Sequence, residues 1–218
     1  MINIIYCHDG NLNNLLERSK KSFLFHNANV KFYEITEDKE NILKDFTNDL
    51  CGFHHVTKSC FLRLLIPKLF PNLDRALYVD CDTLCLGDIS DLYNADFEDN
   101  YLMACRGMEY SDKQAEQLGL PYYVISGMMM FNIPLMNKDD YFQQILDNWK
   151  TSLGKQNPYS GDETIINWVF HNKIKLVNEK YNYCYNRPYG DRAVNERDVK
   201  IMHFCGYDKS AMLHYSYD

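Results

Sequence analysis

The sequence has no run of basic residues, and its net charge is −7, from 23 Lys and Arg against 30 Asp and Glu. Proteins that bind nucleic acid carry basic patches that neutralise phosphates. The acidic balance therefore argues against a nucleic-acid partner. No apolar run approaches the roughly 18 residues of a membrane span, so no transmembrane segment is expected.

The sequence also lacks C-x-x-C pairs, although it contains eight cysteines. Several of these lie in apolar, strand-like runs, which is typical of buried reduced thiols rather than of a disulfide framework. The first residues, Met1 to Tyr6, have neither the basic region nor the long apolar core of a signal peptide. These features predict a cytoplasmic protein.

The order of apolar segments predicts an α/β protein. Ile2 to Tyr6 and Val30 to Ile35 read as strands on either side of a helix, which is how a parallel α/β sheet begins. The turn after the first strand has no G-x-G-x-x-G, so a dinucleotide cradle is not supported. With 218 residues, we expect one domain over residues 1–218.

Later segments carry less regular signals. Ser59 to Ile66 is expected to be helical, with Pro67 kinking or ending the helix. Residues 106–122 are polar and contain two Gly and one Pro, which favours a mobile loop. Gly161 and Asp162 are expected to open a helix that places Glu163 in its first turn.

The most informative stretch is a short apolar strand, Ala76 to Val79, that runs directly into Asp80-Cys81-Asp82. Ligands of open α/β sheets bind beyond the carboxyl ends of strands. Two carboxylates there can reach one Mg²⁺ or Mn²⁺ ion, which is often shared with substrate phosphates. The alternative is a solvated acidic turn after a core strand.

Three other polar residues also have simpler interpretations. Arg63 could lie on a solvated helix face, and a lone histidine on a strand, such as His203, is more often a hydrogen-bonded core residue. Glu163 could be only a helix N-terminal charge that adds about 0.3–1 kcal/mol of stability.

Taken in order, the Asp80-x-Asp82 motif, Ser126-Gly127, Asp162-Glu163 and the segment from His203 to Lys209 resemble the retaining glycosyltransferases of family 8. That family includes bacterial galactosyltransferases of lipooligosaccharide synthesis and glycogenin. The resemblance runs from Ile2 to about Lys209. It implies a single-domain GT-A (Rossmann-like) fold with a mixed, mostly parallel central sheet flanked by helices. It also implies transfer of a hexose from a UDP-sugar to a glycan or glycoconjugate hydroxyl, with retention.

The resemblance implies roles for particular residues. The uracil and ribose pocket would be lined by Cys7, His8, Asp9 and Asn11. Mn²⁺ or Mg²⁺ would be held by Asp80, Asp82 and His203. Other donor contacts would come from Arg63, Cys81, Ser126, Gly127, Gly206 and Lys209, the last two on the diphosphate. Asp162 would bind sugar hydroxyls, and Glu163 would lie near the anomeric carbon.

Two other interpretations stay open. A phosphohydrolase of the haloacid dehalogenase type also has a hydrophobic strand that ends in Asp-x-Asp. That pattern usually has Thr or Val two residues after the second Asp, where this chain has Leu84. A catalytically weak sugar-nucleotide-binding module of a larger glycan-assembly protein is the other alternative.

Overall fold

The computed structural model describes residues 1–36, 58–150, 161–187, 189–206 and 209–218. Its strands are β1 (Ile2–His8), β2 (Val30–Thr36), β3 (Arg75–Val79), β4 (Thr83–Cys85), β5 (Leu102–Arg106), β6 (Val124–Asn132), β7 (Ile174–Val177), β8 (Tyr183–Cys184) and β9 (Ile201–His203). Its α-helices are α1 (Asn13–His26), α2 (Ile66–Leu69), α3 (Ser90–Tyr93), α4 (Glu109–Leu118), α5 (Ile133–Lys138), α6 (Tyr141–Lys150), α7 (Asp162–Phe170) and α8 (Ser210–His214). The 3₁₀ segments include Lys58–Leu65, Glu179–Tyr181 and Gly190–Arg192.

The main sheet has the strand order β2-β1-β3-β6-β5-β7. The pairs β2-β1, β1-β3 and β5-β7 are parallel, whereas β6 runs antiparallel to both of its neighbours. The predicted mixed, mostly parallel α/β sheet is therefore confirmed.

Two apolar layers cover the two faces of this sheet. Successive side chains of a strand point to opposite faces, and in β3 Ala76 and Tyr78 belong to one buried cluster while Leu77 and Val79 belong to the other. A strand that is buried on both sides reads as a continuous apolar run, which is why β3 was recognisable in the sequence. Asp80 directly follows β3 and therefore lies at the carboxyl end of this central strand.

A second, three-stranded sheet has the order β4-β9-β8. It begins close to the carboxyl end of β3, because β4 starts at Thr83, directly after Asp82. Thr83 of β4 pairs with His203 of β9 in antiparallel register. The amide of Phe204 also donates to the carbonyl of Asp82 at 2.9 Å. This pairing joins two segments that are about 120 residues apart and brings His203 beside the Asp80-x-Asp82 turn.

Two predictions about secondary structure are wrong. Pro67 lies in the first turn of α2 rather than ending a helix, because a proline without an N–H is tolerated where no intrahelical partner exists. Residues 106–122 contain α4, which ends at Gly119 in the left-handed conformation, with φ of 66°. The glycine that suggested a loop is therefore a helix C-cap.

None of the described helices is long and apolar enough to cross a membrane.

Candidate active site

A cavity of about 430 Å³ opens at the carboxyl ends of β1 and β3. Its walls come from the turn after β1, the 3₁₀ segment Lys58–Leu65, the Asp80-x-Asp82 turn and the start of α7. The residues that line it are Cys7, His8, Asp9, Asn11, Leu12, Ser59, Cys60, Arg63, Asp80, Cys81, Asp82, Asp162 and Lys209. Ten residues that the resemblance assigned to the donor, the metal or catalysis thus share one cavity.

The turn after β1 is held by its own side chains. Asp9 Oδ1 accepts from the Asn11 amide at 3.0 Å, and His8 Nε2 lies 2.9 Å from Glu34 Oε2 on the neighbouring strand β2. Burial raises the pKa of the Cys7 thiol well above its usual value. Cys7 therefore enters the cavity wall as an uncharged group.

Asp80, Asp82 and His203 form a cluster in which one ligand atom from each residue lies within 4.8 Å of the others. His203 Nε2 is 3.4 Å from Asp82 Oδ1 and 3.6 Å from Asp80 Oδ2. Burial alone would lower the pKa of His203, but the Asp82 and Asp80 carboxylates outweigh burial and raise it to about 9. The two carboxylates therefore give this cluster the negative potential that favours a cation.

The other face of His203 is fixed by two residues. Its Nδ1 lies 3.1 Å from Asn182 Oδ1, so Nδ1 carries the proton that is shared with this amide oxygen. A neutral His203 then has its free lone pair on Nε2, the atom that faces the carboxylates. Such second-layer partners orient metal-binding histidines in general. Gly127 of β6 makes room for the ring, because a Cβ there would come within 2.2 Å of His203 Cε1.

Asp82 is only 3% exposed. Its Oδ2 accepts a short hydrogen bond from the Lys209 ammonium. Burial alone would raise the pKa of Asp82, but His203 and Lys209 outweigh it and hold the pKa well below its usual range. Asp82 lies on the turn after β3, as expected, but the alternative of a solvated acidic turn is wrong for this residue, because its carboxylate is buried and paired.

Arg63 bridges Asp80 of this cluster and Asp162 at the start of α7. Its guanidinium lies 3.0 Å from Asp80 Oδ1 and 3.1 Å from Asp162 Oδ2, and it packs over the Tyr78 ring with Cζ 4.5 Å from the centroid. Burial raises the pKa of Asp162, and Arg63 offsets part of that effect. The interpretation of Arg63 as a solvated helix residue is wrong, since the side chain is only 7% exposed.

Glu163 faces β6 rather than open solvent. Its Oε2 accepts from the Ser126 amide at 2.8 Å and lies 3.2 Å from the Ser126 hydroxyl. Burial raises the pKa of Glu163 to about 7, despite the hydrogen bond from the Ser126 amide. Burial therefore outweighs the favourable charge of the helix N-terminus at this carboxylate.

Five predicted site residues lie outside the cavity lining, namely Ser126, Gly127, Glu163, His203 and Gly206. Four of them contact its walls or one another, as described above. Gly206 has φ of 114°, a conformation that favours glycine. A Cβ there would lie 2.8 Å from Arg187 Nη2. Tyr207 and Asp208, between Gly206 and Lys209, lie outside the described residues.

Sequence reasoning missed the residues that support this site. Tyr78 donates a short hydrogen bond to Asp80 Oδ1, and Asn182 orients His203. Asn167 holds α7 against β6, since its side chain bonds both the amide and the carbonyl of Val124, at 2.7 and 2.8 Å. No local pattern marks Asn182 and Asn167, because each acts on a segment that is distant in the sequence, whereas Tyr78 acts on Asp80 two residues further along the same strand end.

The mixed α/β sheet, with an acidic cluster and a polar cavity at the carboxyl ends of its strands, has the architecture of the GT-A fold. Residues 11–210 match the family model described as "Glycosyl transferase family 8". The chain belongs to this glycosyltransferase family, and the predicted family and GT-A fold are confirmed. The haloacid dehalogenase alternative is set aside by this finding.

Several known proteins are similar to the chain. Glycosyltransferase GlyE of Streptococcus pneumoniae is 23% identical over 89% of this chain and 53% of its own length. Lipopolysaccharide 1,3-galactosyltransferase of Salmonella typhimurium is 26% identical over 70% of this chain and 49% of its own length. The crystal structure of galactosyltransferase LgtC with donor and acceptor sugar analogs superposes with a TM-score of 0.76 at 17% identity, covering 98% of this chain and 94% of that chain.

The chain spans about half the length of the curated relatives it matches.

Proposed function

We propose that this chain transfers a hexose from a UDP-sugar to a hydroxyl of a glycan or glycoconjugate, in the cytoplasm, with a divalent cation and with retention at the anomeric carbon. The carrying observation is the cluster of Asp80, Asp82 and His203 with Lys209, set at the rim of a cavity of about 430 Å³. A single domain over residues 1–218 is part of the proposal.

The cluster suits Mn²⁺ or Mg²⁺. Two carboxylates and one imidazole are oxygen and nitrogen donors of the kind that first-row divalent ions accept, and the imidazole favours Mn²⁺ over Ca²⁺. Asp80, Asp82 and His203 would hold the ion. When bound, the cation neutralises diphosphate charge and makes UDP a better leaving group.

The cavity suits the remainder of the donor. The turn from Cys7 to Asn11 is placed to take the base and ribose, with the Cys81 backbone beside it. Lys209 at the rim can bring its ammonium to the diphosphate, whose negative charge grows as the glycosidic bond breaks. Gly206 allows close approach of the backbone on the same side. Ser126 and Gly127 would lie by the donor sugar.

Asp162 and Glu163 are placed for the reacting sugar. Asp162 lines the cavity and would accept hydrogen bonds from sugar hydroxyls. Both hydrogen bonds from Ser126 go to Glu163 Oε2, and within the described part of the chain Oε1 carries none. Oε1 is thus available to support positive charge at the anomeric carbon or to attack that carbon. Either role fits retention.

The names of the relatives support a glycan acceptor. The Salmonella relative is a lipopolysaccharide 1,3-galactosyltransferase, and a relative from Escherichia coli, 29% identical over 69% of this chain, is a lipopolysaccharide 1,2-glucosyltransferase. Both names describe the addition of a hexose to a glycoconjugate, which is the class of reaction proposed here.

The test is a panel of UDP-hexoses with Mn²⁺, assayed for UDP release with and without sugar acceptors. We expect one donor to be turned over with Mn²⁺ and not with a chelator. Tight UDP binding without turnover of any donor, in either arm, would instead identify a sugar-nucleotide-binding module. Proton NMR of the product linkage decides between retention and inversion.

A further inference from the structure

The start of α4 and the turn after β8 form one wall beside Glu163. They are joined by a buried cluster that consists of Met108, Ile125, Cys184 and Tyr189. Ile125 directly precedes Ser126, which binds the Glu163 carboxylate. Glu163 itself follows Asp162, which lines the donor cavity. Glu163 therefore lies between the cavity and this wall.

The wall is held together by polar contacts. Arg192 Nη2 lies 3.1 Å from Asp112 Oδ2, and Arg192 Nη1 donates a short hydrogen bond to the Gly107 carbonyl. Gly190 packs so closely on α4 that a Cβ there would meet Glu109 Oε1 at 2.4 Å. The two segments thus present a fixed surface rather than two independent loops.

Tyr110 is the aromatic residue that this wall exposes. It lies in the first turn of α4 and is 51% exposed. Within the described ranges its hydroxyl has no hydrogen-bond partner. Burial of part of the ring, together with the negative charge of Glu163, raises the pKa of the hydroxyl. Tyr110 follows Met108 by two residues, and Met108 packs with Ile125, the residue before the Ser126 that binds Glu163.

Arg187 supplies a positive charge on the same wall. It is exposed, and its Nη2 lies 3.5 Å from the Cys205 carbonyl and 2.8 Å from the position that a Cβ of Gly206 would occupy. Its charge also acts on the Tyr110 hydroxyl. In the portions of the chain that are described, no carboxylate pairs with Arg187. Its guanidinium also bonds the Cys205 side chain, which leaves other N–H groups of the planar fork available to an anion.

Neither Tyr110 nor Arg187 lines the donor cavity, and Arg187 borders it at Gly206, which the proposed function places on the diphosphate. Group transfer needs the acceptor hydroxyl at the reacting carbon, next to Glu163 and outside the space that the donor fills. The half-exposed phenol offers an apolar face to a sugar ring. A guanidinium binds a carboxylate or phosphate through two parallel hydrogen bonds.

We propose that Tyr110 and Arg187 form the acceptor subsite and that the accepted sugar carries an anionic group, either a carboxylate or a phosphate. This inference rests on the proposed function and names the acceptor class of the same site.

Saturation-transfer NMR with UDP and Mg²⁺ tests the subsite without turnover. The probes are methyl β-glucuronide, glucose 6-phosphate and methyl β-glucoside, which represent a carboxylate, a phosphate and a neutral sugar. We expect one anionic probe to receive clearly more saturation than the neutral sugar, and which one it is distinguishes the two sources of charge. Arg187→Ala and Tyr110→Ala should each abolish that preference or the signal, whereas Tyr110→Phe should retain it.

Arg197→Ala and Phe25→Ala are the matched controls, because both residues are exposed and remote from the wall. In transfer assays, Arg187→Ala should raise the KM for the anionic acceptor about tenfold or more, and more than it changes the donor KM. Equal binding of neutral and anionic probes would overturn the inference. A change confined to UDP affinity would do the same and would assign Arg187 to the diphosphate. Absence of UDP release with every donor would contradict the proposed function instead.

Discussion

Gly127 lies directly against the imidazole of His203, so that a Cβ at position 127 would be 2.2 Å from His203 Cε1 and 2.4 Å from Nδ1. The ring is held on the same side by Asn182 at 3.1 Å. The resemblance implies only that Gly127 contacts the donor. Its close contact with His203 gives a different reason for a glycine at this position.

Gly127→Ala should therefore displace His203 and weaken Mn²⁺ binding about 10–100-fold, the usual cost of disturbing the support of a metal ligand. Calorimetric titration with Mn²⁺ measures this change. Gly119→Ala is the control, because it strains a left-handed helix cap that has nothing within 4 Å. It should lower the melting temperature without changing Mn²⁺ affinity. Unchanged affinity in Gly127→Ala would show that His203 is not a ligand or that β6 yields to the methyl group.

Asp82→Asn should abolish the gain in UDP affinity that Mn²⁺ provides. Under the proposed function, the substitution removes an anionic ligand of the cation, and it leaves Lys209 without its carboxylate partner. Because Asp82 is buried, we also expect a lower melting temperature, unlike for a residue on an open loop. Calorimetry with UDP in Mn²⁺ and in chelator measures the first effect. Asp99→Asn, at an exposed carboxylate, should change neither quantity.

Arg63→Met should lower the free energy of unfolding by about 3–5 kcal/mol, because it leaves two carboxylates, Asp80 and Asp162, without their shared cation. Urea unfolding measures this effect. Arg63→Lys keeps the charge but cannot reach both carboxylates with a planar fork, so it should be intermediate. Adding Asp162→Asn to Arg63→Met should restore part of the stability. A loss below about 1 kcal/mol would mean that solvent already screens the pair.

The parts of the site that the sequence predicts are those in which chemistry follows a local pattern. Asp80 and Asp82 come directly after an apolar strand, and that order is visible without a structure. His203 was assigned only through the ordered resemblance to family 8. Its closeness to Asp82 depends on the pairing of β4 with β9, which a periodicity argument cannot supply.

Other features depend on tertiary packing and were missed or misjudged. A polar residue such as Arg63 on a helix is usually exposed, but here its guanidinium is buried because it pairs with Asp80 and Asp162, which come from two distant segments. No sequence pattern marks Asn182. Its role follows only from its hydrogen bond to His203, which lies on β9, the strand that pairs with β8. Gly119 resembled a loop residue because glycine marks both loops and helix ends.

Glu163→Gln tests the residue on which the chemistry depends most. Glutamine keeps the shape of the side chain and removes its charge, so kcat should fall at least about 10²-fold while donor binding is largely kept. The same substitution should make the folded protein more stable near pH 8, although it lowers activity. The folded-state pKa of about 7 lies above the ordinary glutamate value of 4.5, so the folded protein holds this proton more tightly than the unfolded chain does.

The stability linked to Glu163 is accordingly complete below about pH 4.5 and is lost as the pH rises through about 7. Glutamine cannot ionise and therefore does not suffer that loss. At pH 8, the Glu163→Gln variant should have a higher melting temperature than the native protein, and its free energy of unfolding should be larger by at most about 3 kcal/mol. At pH 5 the two proteins should differ little. Melting curves across this range measure the difference, and kcat of the native protein should rise through about pH 7 if the ionised carboxylate is the active form. A variant that is fully active and slightly less stable at every pH would reduce Glu163 to a helix N-terminal charge.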